Sequence, residues 1–289
     1  MKLAHRFKKD GKPYAGLTKQ TTAGPQWTGR IRLVDEALVK PLSWRKPLLV
    51  FVNSMSDLFH EGVSDEFILN VFTVMAVARQ HTFQVLTKRA DRMQRLVSSW
   101  RADDIYTYWH GYSGGPAEIE AWPLPNVWLG VSVEDQPRAD VRIPLLRSTP
   151  AAVRFVSAEP LLAPVDFYLR EDGTAANEHR GGPKLDWVIV GGESGPGARS
   201  LDLAWARSIV QQCKAAGVAC FVKQVGSNAV CRNDEPDTPW PGGTVPIDDD
   251  YEPRYQGETA PLVFMNRKGG DPAEWPEDLR VREFPEVRA

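Results

Sequence analysis

The sequence predicts an α/β fold built on a parallel sheet, and two observations carry the prediction. Six apolar runs each stop at a knot of polar residues: PLLVFV before Asn53, TFQVL before Thr87, VWLGV before Ser132, VRFV before Ser157, DWVIV before Gly191 and VACFV before Lys223. Continuous runs of this length fit strands buried on both faces under covering helices. The runs also begin roughly 25 to 45 residues apart, which leaves room for a crossover helix each time. Repeated strand–helix units build either a parallel barrel or a doubly wound sheet. Both place their ligands at the carboxyl ends of the strands, so polar residues at all six ends point to one shared site.

The elements follow in order. Met1 to Lys9 reads as a helix already under way, with Leu3, Ala4 and Phe7 on one face and no cap ahead of it. A parallel fold places a strand before such a helix, so the chain is expected to begin one strand late. Ser64 to Gln80 opens with a Ser cap and an acidic first turn, then carries Phe67, Ile68, Val71, Phe72 and Met75 at helical spacing. Ala90 to Trp100 follows the second run as a helix with Met93, Leu96 and Val97 on one face. Asp135 to Ser148 follows the third, and Pro144 is expected to kink or shorten it. Leu203 to Ala216 follows the fifth and stops at Gly217, a natural C-cap.

Two insertions interrupt the series. Tyr106 to Pro125 is rich in aromatic residues, Gly and Pro, and Glu171 to Lys184 is polar. Residues 1–225 are therefore expected to form the strand–helix domain. Residues 226–289, Pro-rich and acidic at Asp248 to Asp250, are expected to be an irregular tail packed on it.

The bulk numbers of this 289-residue chain fit a globular protein able to bury a sizeable core: 42% hydrophobic and 25% charged residues. A net charge of −2 gives no basic footprint for nucleic acid. No apolar stretch suits a signal peptide or a membrane span, so a cytoplasmic location is expected. Cys213, Cys220 and Cys231 match no familiar zinc or iron–sulfur spacing, and the first two fall at packing positions.

The strand ends supply the candidate binding residues. Asn53, Ser54, Ser56 and Asp57 follow the first run, Lys88 and Arg89 the second, and Ser132 and Glu134 the third. Glu159 follows the fourth, Gly191, Gly192 and Glu193 the fifth, and Lys223 and Gln224 the sixth. The VGGESGPGAR turn lets backbone amides approach a ligand but is neither a dinucleotide fingerprint nor a Walker loop. Two basic ends with several carboxylates and amides suit a ligand of amino-acid or nucleoside character better than a hydrolytic nucleophile. His60 with Asp57 offers a weaker alternative, a metal hydrolase.

Taken together, PLSWRKP, FVNSMSDLFHE, QVLTKR, LPNVWLGVSVEDQ, RFVSAEPLL, LDWVIVGGESGPGAR and VKQ resemble a family of phage-derived proteins, gp thirty-seven/gp sixty-eight. That family is similar to radical S-adenosylmethionine (SAM) enzymes, with spore photoproduct lyase as a distant relative. The resemblance spans about residues 4 to 224. It implies a partial parallel (β/α) barrel of radical SAM type, with six strands visible here and the first one missing. It also implies SAM and a [4Fe–4S] cluster as cofactors. Asn53, Ser54, Lys88, Arg89, Ser132, Glu159 and Gly191 to Glu193 would surround SAM. Lys88 or Arg89 would face its carboxylate, and Glu159 or Glu193 its ribose or amine. Family members carry the cluster cysteines in a loop before the helix that here begins at Leu3. The sequence as written has no such segment and is not expected to ligate the cluster in that manner, either because it starts at an internal Met past that segment or because the lineage has discarded the cluster. The resemblance implies a radical enzyme with an unknown, nucleic-acid-related substrate. The alternative is a cluster-free module that binds a nucleotide or a mobile-element partner protein.

Overall fold

Three of the expected helices sit where their caps place them, and the strands between them follow the apolar runs. The structure is a computed structural model. It describes residues 14–22, 24–105, 121–169, 184–232, 259–262 and 264–286. The expected helix at Met1 to Lys9, most of both insertions and Asp248 to Asp250 lie outside the described residues. The chain divides into two units, Met1–Trp128 with Pro150–Ala152, and Leu129–Thr149 with Val153–Ala289.

The first unit opens with an antiparallel pair, β1 (Thr18–Thr21) and β2 (Gly24–Trp27). A short helix α1 (Asp35–Leu38) precedes β3 (Leu49–Val52), α2 (Asp65–Val77), β4 (Thr82–Thr87) and α3 (Ala90–Ser99). The Ser64 hydroxyl accepts the Phe67 amide and so starts α2 as the sequence predicts. Strands β3 and β4 run parallel, with Leu49 opposite Thr82. Ile68, Phe72 and Met75 bury the inner face of α2, and Phe72 meets Phe59 and Trp100 edge-on. The buried His81 is held by backbone: its Nδ1 accepts the Leu48 amide at 3.2 Å, and its Nε2 lies 3.1 Å from the Pro41 carbonyl.

Strand β5 (Val127–Ser132) ends in the second unit, which continues with α4 (Gln136–Ser148), β6 (Val153–Ala158) and β7 (Trp187–Gly191). Next come β8 (Leu201–Asp202), α5 (Leu203–Ala216), β9 (Ala219–Gln224), β10 (Ala229–Arg232) and β11 (Thr259–Pro261). Pro144 does not shorten α4, which runs on to Ser148. Burial of the apolar Ile143 and Leu146 on either side of it outweighs the one lost backbone bond. Gly217 ends α5 in the left-handed conformation, as expected, and its N–H turns back to the Cys213 and Lys214 carbonyls.

The strand order of the main sheet is β3-β4-β5-β6-β7-β9. A doubly wound sheet reverses its order at a switch point; this one advances in a single direction, which is the winding of a (β/α) barrel. Strands β5 and β6 are buried almost throughout, as continuous apolar runs demand. The first run departs from that expectation. As the terminal strand of the order, β3 leaves Leu49 and Phe51 exposed.

The last described segment covers β9. Val222 donates its amide to Val281, Glu283 donates to Cys220, and the Trp187 indole donates to the Glu283 carbonyl. Two 3-10 turns, Pro272–Glu274 and Glu277–Leu279, carry Trp275 into the core. A three-stranded sheet of β11, β10 and β8 accompanies them. No helix among the described residues is long and apolar enough to cross a membrane.

Candidate functional site

In the second unit the chain leaving β6 folds across the ends of its neighbours. Leu161 donates its amide to the Gly191 carbonyl, and Leu162 donates to that of Glu134, both at 2.9 Å. This places Glu159 over the end of β7. Its carboxylate accepts from the Lys223 ammonium at 2.9 Å and from the Gln224 amide at 3.2 Å. Gln224 donates as well to the Gly192 carbonyl at 2.9 Å, so it fixes both the carboxylate and the turn. Thus Glu159, Lys223, Gln224, Gly191 and Gly192 come together from the ends of β6, β7 and β9.

The two glycines have an internal reason to be glycine. A Cβ at Gly191 would sit 3.1 Å from the Glu159 carboxyl carbon, and one at Gly192 only 2.3 Å from the Val225 carbonyl oxygen. Any side chain at 192 would push backbone against backbone.

Two further carboxylates border this group. Glu193 accepts from the Arg199 amide at 3.0 Å and from its guanidinium at 2.8 Å, and these bonds hold the Glu193 carboxyl below the usual carboxylate range. The Arg199 guanidinium is shifted upward, first by its hydrogen bond to Glu193 and more weakly by the charges of Glu193 and Glu134. Glu134 pairs with Arg142 at 2.9 Å, and Arg142 also donates to the carbonyl of the buried Ser132. Exposure separates the two pairs: Arg199 and Glu193 are 59% and 35% exposed, Arg142 and Glu134 only 17% and 11%. An exposed pair contributes about 0–1 kcal/mol, whereas breaking a buried one costs about 3–5 kcal/mol. The Glu134–Arg142 pair is therefore fixed, and the Glu193–Arg199 pair can exchange partners cheaply.

The first unit holds a polar group of its own. Asp57 accepts four bonds: from the Phe59 amide, the Thr87 hydroxyl, the Lys88 amide and the Arg89 guanidinium. Arg89 also reaches Glu61 at 2.9 Å. Arg92 ties the same loop to α3 through the His60 and Val63 carbonyls and Asp65. Asp57 is thus the fastener of the loop after β3, and its lone pairs are spent on donors. Asn53, Ser54 and Ser56 are exposed at the start of that loop, with Asn53 left-handed at φ 58°. The hydrolase alternative finds no support here, because Asp57 is saturated and the His60 Nδ1 already accepts the Gly62 amide. Among the described residues no three His, Cys, Asp or Glu side chains form a metal-holding group.

Glu61 carries a pH signature. Its hydrogen bond from Arg89 lowers its pKa from 4.5 to about 2. A carboxyl lowered on folding contributes stability above its unfolded value and loses it as pH falls through the folded one. Thermal stability is therefore expected to decline between about pH 4.5 and 2, and Glu61→Gln is expected to make that decline shallower in melting curves across the range. The pair is exposed, so added salt should shrink the difference.

The cysteines do not fit an iron–sulfur cluster. Cys213 and Cys220 are buried between α5 and β9, and hydrogen bonding to Cys220 together with burial raises the Cys213 thiol far above its ordinary value. Cys231 lies on β10, in another sheet. A cluster needs accessible thiolates converging from one side, whereas Cys213 and Cys220 are buried and the half-buried Cys231 stands in another sheet.

Two residues at this site escape a reading of strand ends alone. Arg142 sits inside α4, eight residues beyond Glu134, and Arg199 closes the glycine-rich turn. The signal for Arg199 was present: a cation six residues after Glu193, across two flexible glycines.

A parallel sheet wound in one direction, with a carboxylate, an ammonium and an amide joined at its strand ends, defines an α/β protein with a polar strand-end site. The family model described as "Protein of unknown function (DUF5131)" matches residues 1–259, and the chain belongs to that family. No curated protein and no solved structure matches it.

Proposed function

We propose that the second unit binds a nucleoside carrying an amino-acid group, of which SAM is the leading candidate, at the ends of β6, β7 and β9. The observation that carries this reading is Glu159, fixed between Lys223 and Gln224 at the carboxyl ends of adjacent strands. Glu159, held in place by Lys223 and Gln224, is suited to ribose hydroxyls or an ammonium group. The resemblance to radical SAM proteins supports the choice of ligand. When bound, SAM supplies an activated sulfonium. The described cysteines do not fit the cluster that radical chemistry requires, so the reading rests on binding by this chain's own residues. A nucleic-acid-related substrate or a mobile-element partner rests on the resemblance alone.

Calorimetric titration tests the reading. Wild-type protein is expected to bind SAM, and Glu159→Ala to weaken binding by about tenfold or more, the effect of losing one charge-assisted bond. Equal affinity in wild type, Glu159→Ala and Lys223→Ala would place the ligand elsewhere.

A further inference from the structure

Resting on that reading, we infer that Arg199 is the anion-binding residue of the site, released from Glu193 when a ligand brings a carboxylate or phosphate of its own. Three observations converge. Arg199 is 59% exposed and its partner Glu193 35%, so their ion pair is well exposed to water and contributes little. It sits on a turn whose Gly195 and Gly197 have positive φ (105° and 77°) and open space where a side chain would stand, so the turn is unobstructed by its own residues. The attachment of this turn to the body of the unit runs through Ser227 and Asn228 rather than through Arg199. The Gly195 amide donates to the Ser227 hydroxyl at 2.9 Å, and the Asn228 amide donates to the Ala198 carbonyl at 3.2 Å.

The surroundings decide which cation changes partner. Arg142 is locked to Glu134 and to the Ser132 carbonyl, and Lys223 is committed to Glu159. Arg199 touches only Glu193 among the bonds described for its side chain. Glu193 therefore acts as an internal stand-in for the ligand's anion. It neutralises Arg199 in the free protein and competes with the incoming group.

The ligand's anion could be the α-carboxylate of a SAM-like molecule or the phosphate of a nucleotide. Binding of three probes, SAM, 5′-AMP and uncharged adenosine, separates these sources from each other and from failure of the site itself. Arg199→Ala is expected to weaken binding of the charged probe by roughly tenfold to a hundredfold and to leave adenosine unchanged. Loss confined to SAM identifies the carboxylate; loss confined to AMP identifies the phosphate. Glu193→Gln is expected to tighten the same probe, because the competitor is gone. If Arg199→Ala leaves SAM and AMP unaffected while Glu159→Ala weakens them, the role of Arg199 is overturned and the site stands. If wild-type protein binds none of the three, both fall.

Discussion

Replacing Asp57 with alanine is expected to destabilise the first unit by about 3 kcal/mol, the scale of removing a paired, partly buried carboxylate and stranding its donors. The Phe59 and Lys88 amides, the Thr87 hydroxyl and the Arg89 guanidinium all lose an acceptor at once. The Asp57 side chain is only 15% exposed, so water replaces those bonds poorly. Asp57→Asn separates charge from shape. Its carbonyl can still serve Thr87 and Phe59, but its NH2 would point at two donors, so it should recover only part of the loss. Urea unfolding measures the size, and native-state hydrogen exchange over residues 53–65 should show that the loop loosens first. A loss below about 0.5 kcal/mol, the range of ordinary surface changes, would mean that Asp57 is not the fastener.

Trp275→Ala is expected to cost the second unit about 3–5 kcal/mol, as for other fully buried aromatic side chains. Trp275 has no exposed surface, and its indole donates to the Gly269 carbonyl at 3.1 Å. That same carbonyl accepts the Val225 amide, directly after β9. The Arg282 guanidinium lies 5.6 Å from the ring centre, and Arg280 donates to the Trp275 carbonyl. Removing the ring therefore undoes the anchor of the C-terminal segment beside Gln224 and Val225. Trp275→Phe keeps most of the apolar contact and loses the indole bond, so about 1 kcal/mol is expected there. Thermal unfolding distinguishes the two; equal stability of wild type and Trp275→Ala would contradict the anchoring role.

Much of this architecture was legible because burial and periodicity coincide. The run at Val127 is apolar without interruption and becomes a fully buried strand, and the run at Val153, broken only by Arg154, is buried almost throughout. Ser64, Asp135 and Gly217 mark helix ends by chemistry that acts locally. The hidden features depend on distant partners. Nothing in the run Leu49–Val52 states that it ends the sheet order, which leaves Leu49 and Phe51 exposed. The pairing of Val281 and Glu283 with β9 uses backbone groups, which every sequence carries. Asp57 illustrates the limit: caps, loop fasteners and binding groups use the same side chain, and its four donors come from residues as distant in sequence as Arg89. Glu159, Lys223 and Gln224 were singled out one strand at a time, and their mutual hydrogen bonds became visible only with the parallel order of β6, β7 and β9.

Hydrogen–deuterium exchange with and without saturating SAM reads out whether these strand ends hold the proposed ligand. Slowed exchange is expected in residues 157–162, 191–199 and 222–226, with the interior of α5 unchanged. Exchange that is identical in those three segments, or slowed only elsewhere in the chain, would contradict it.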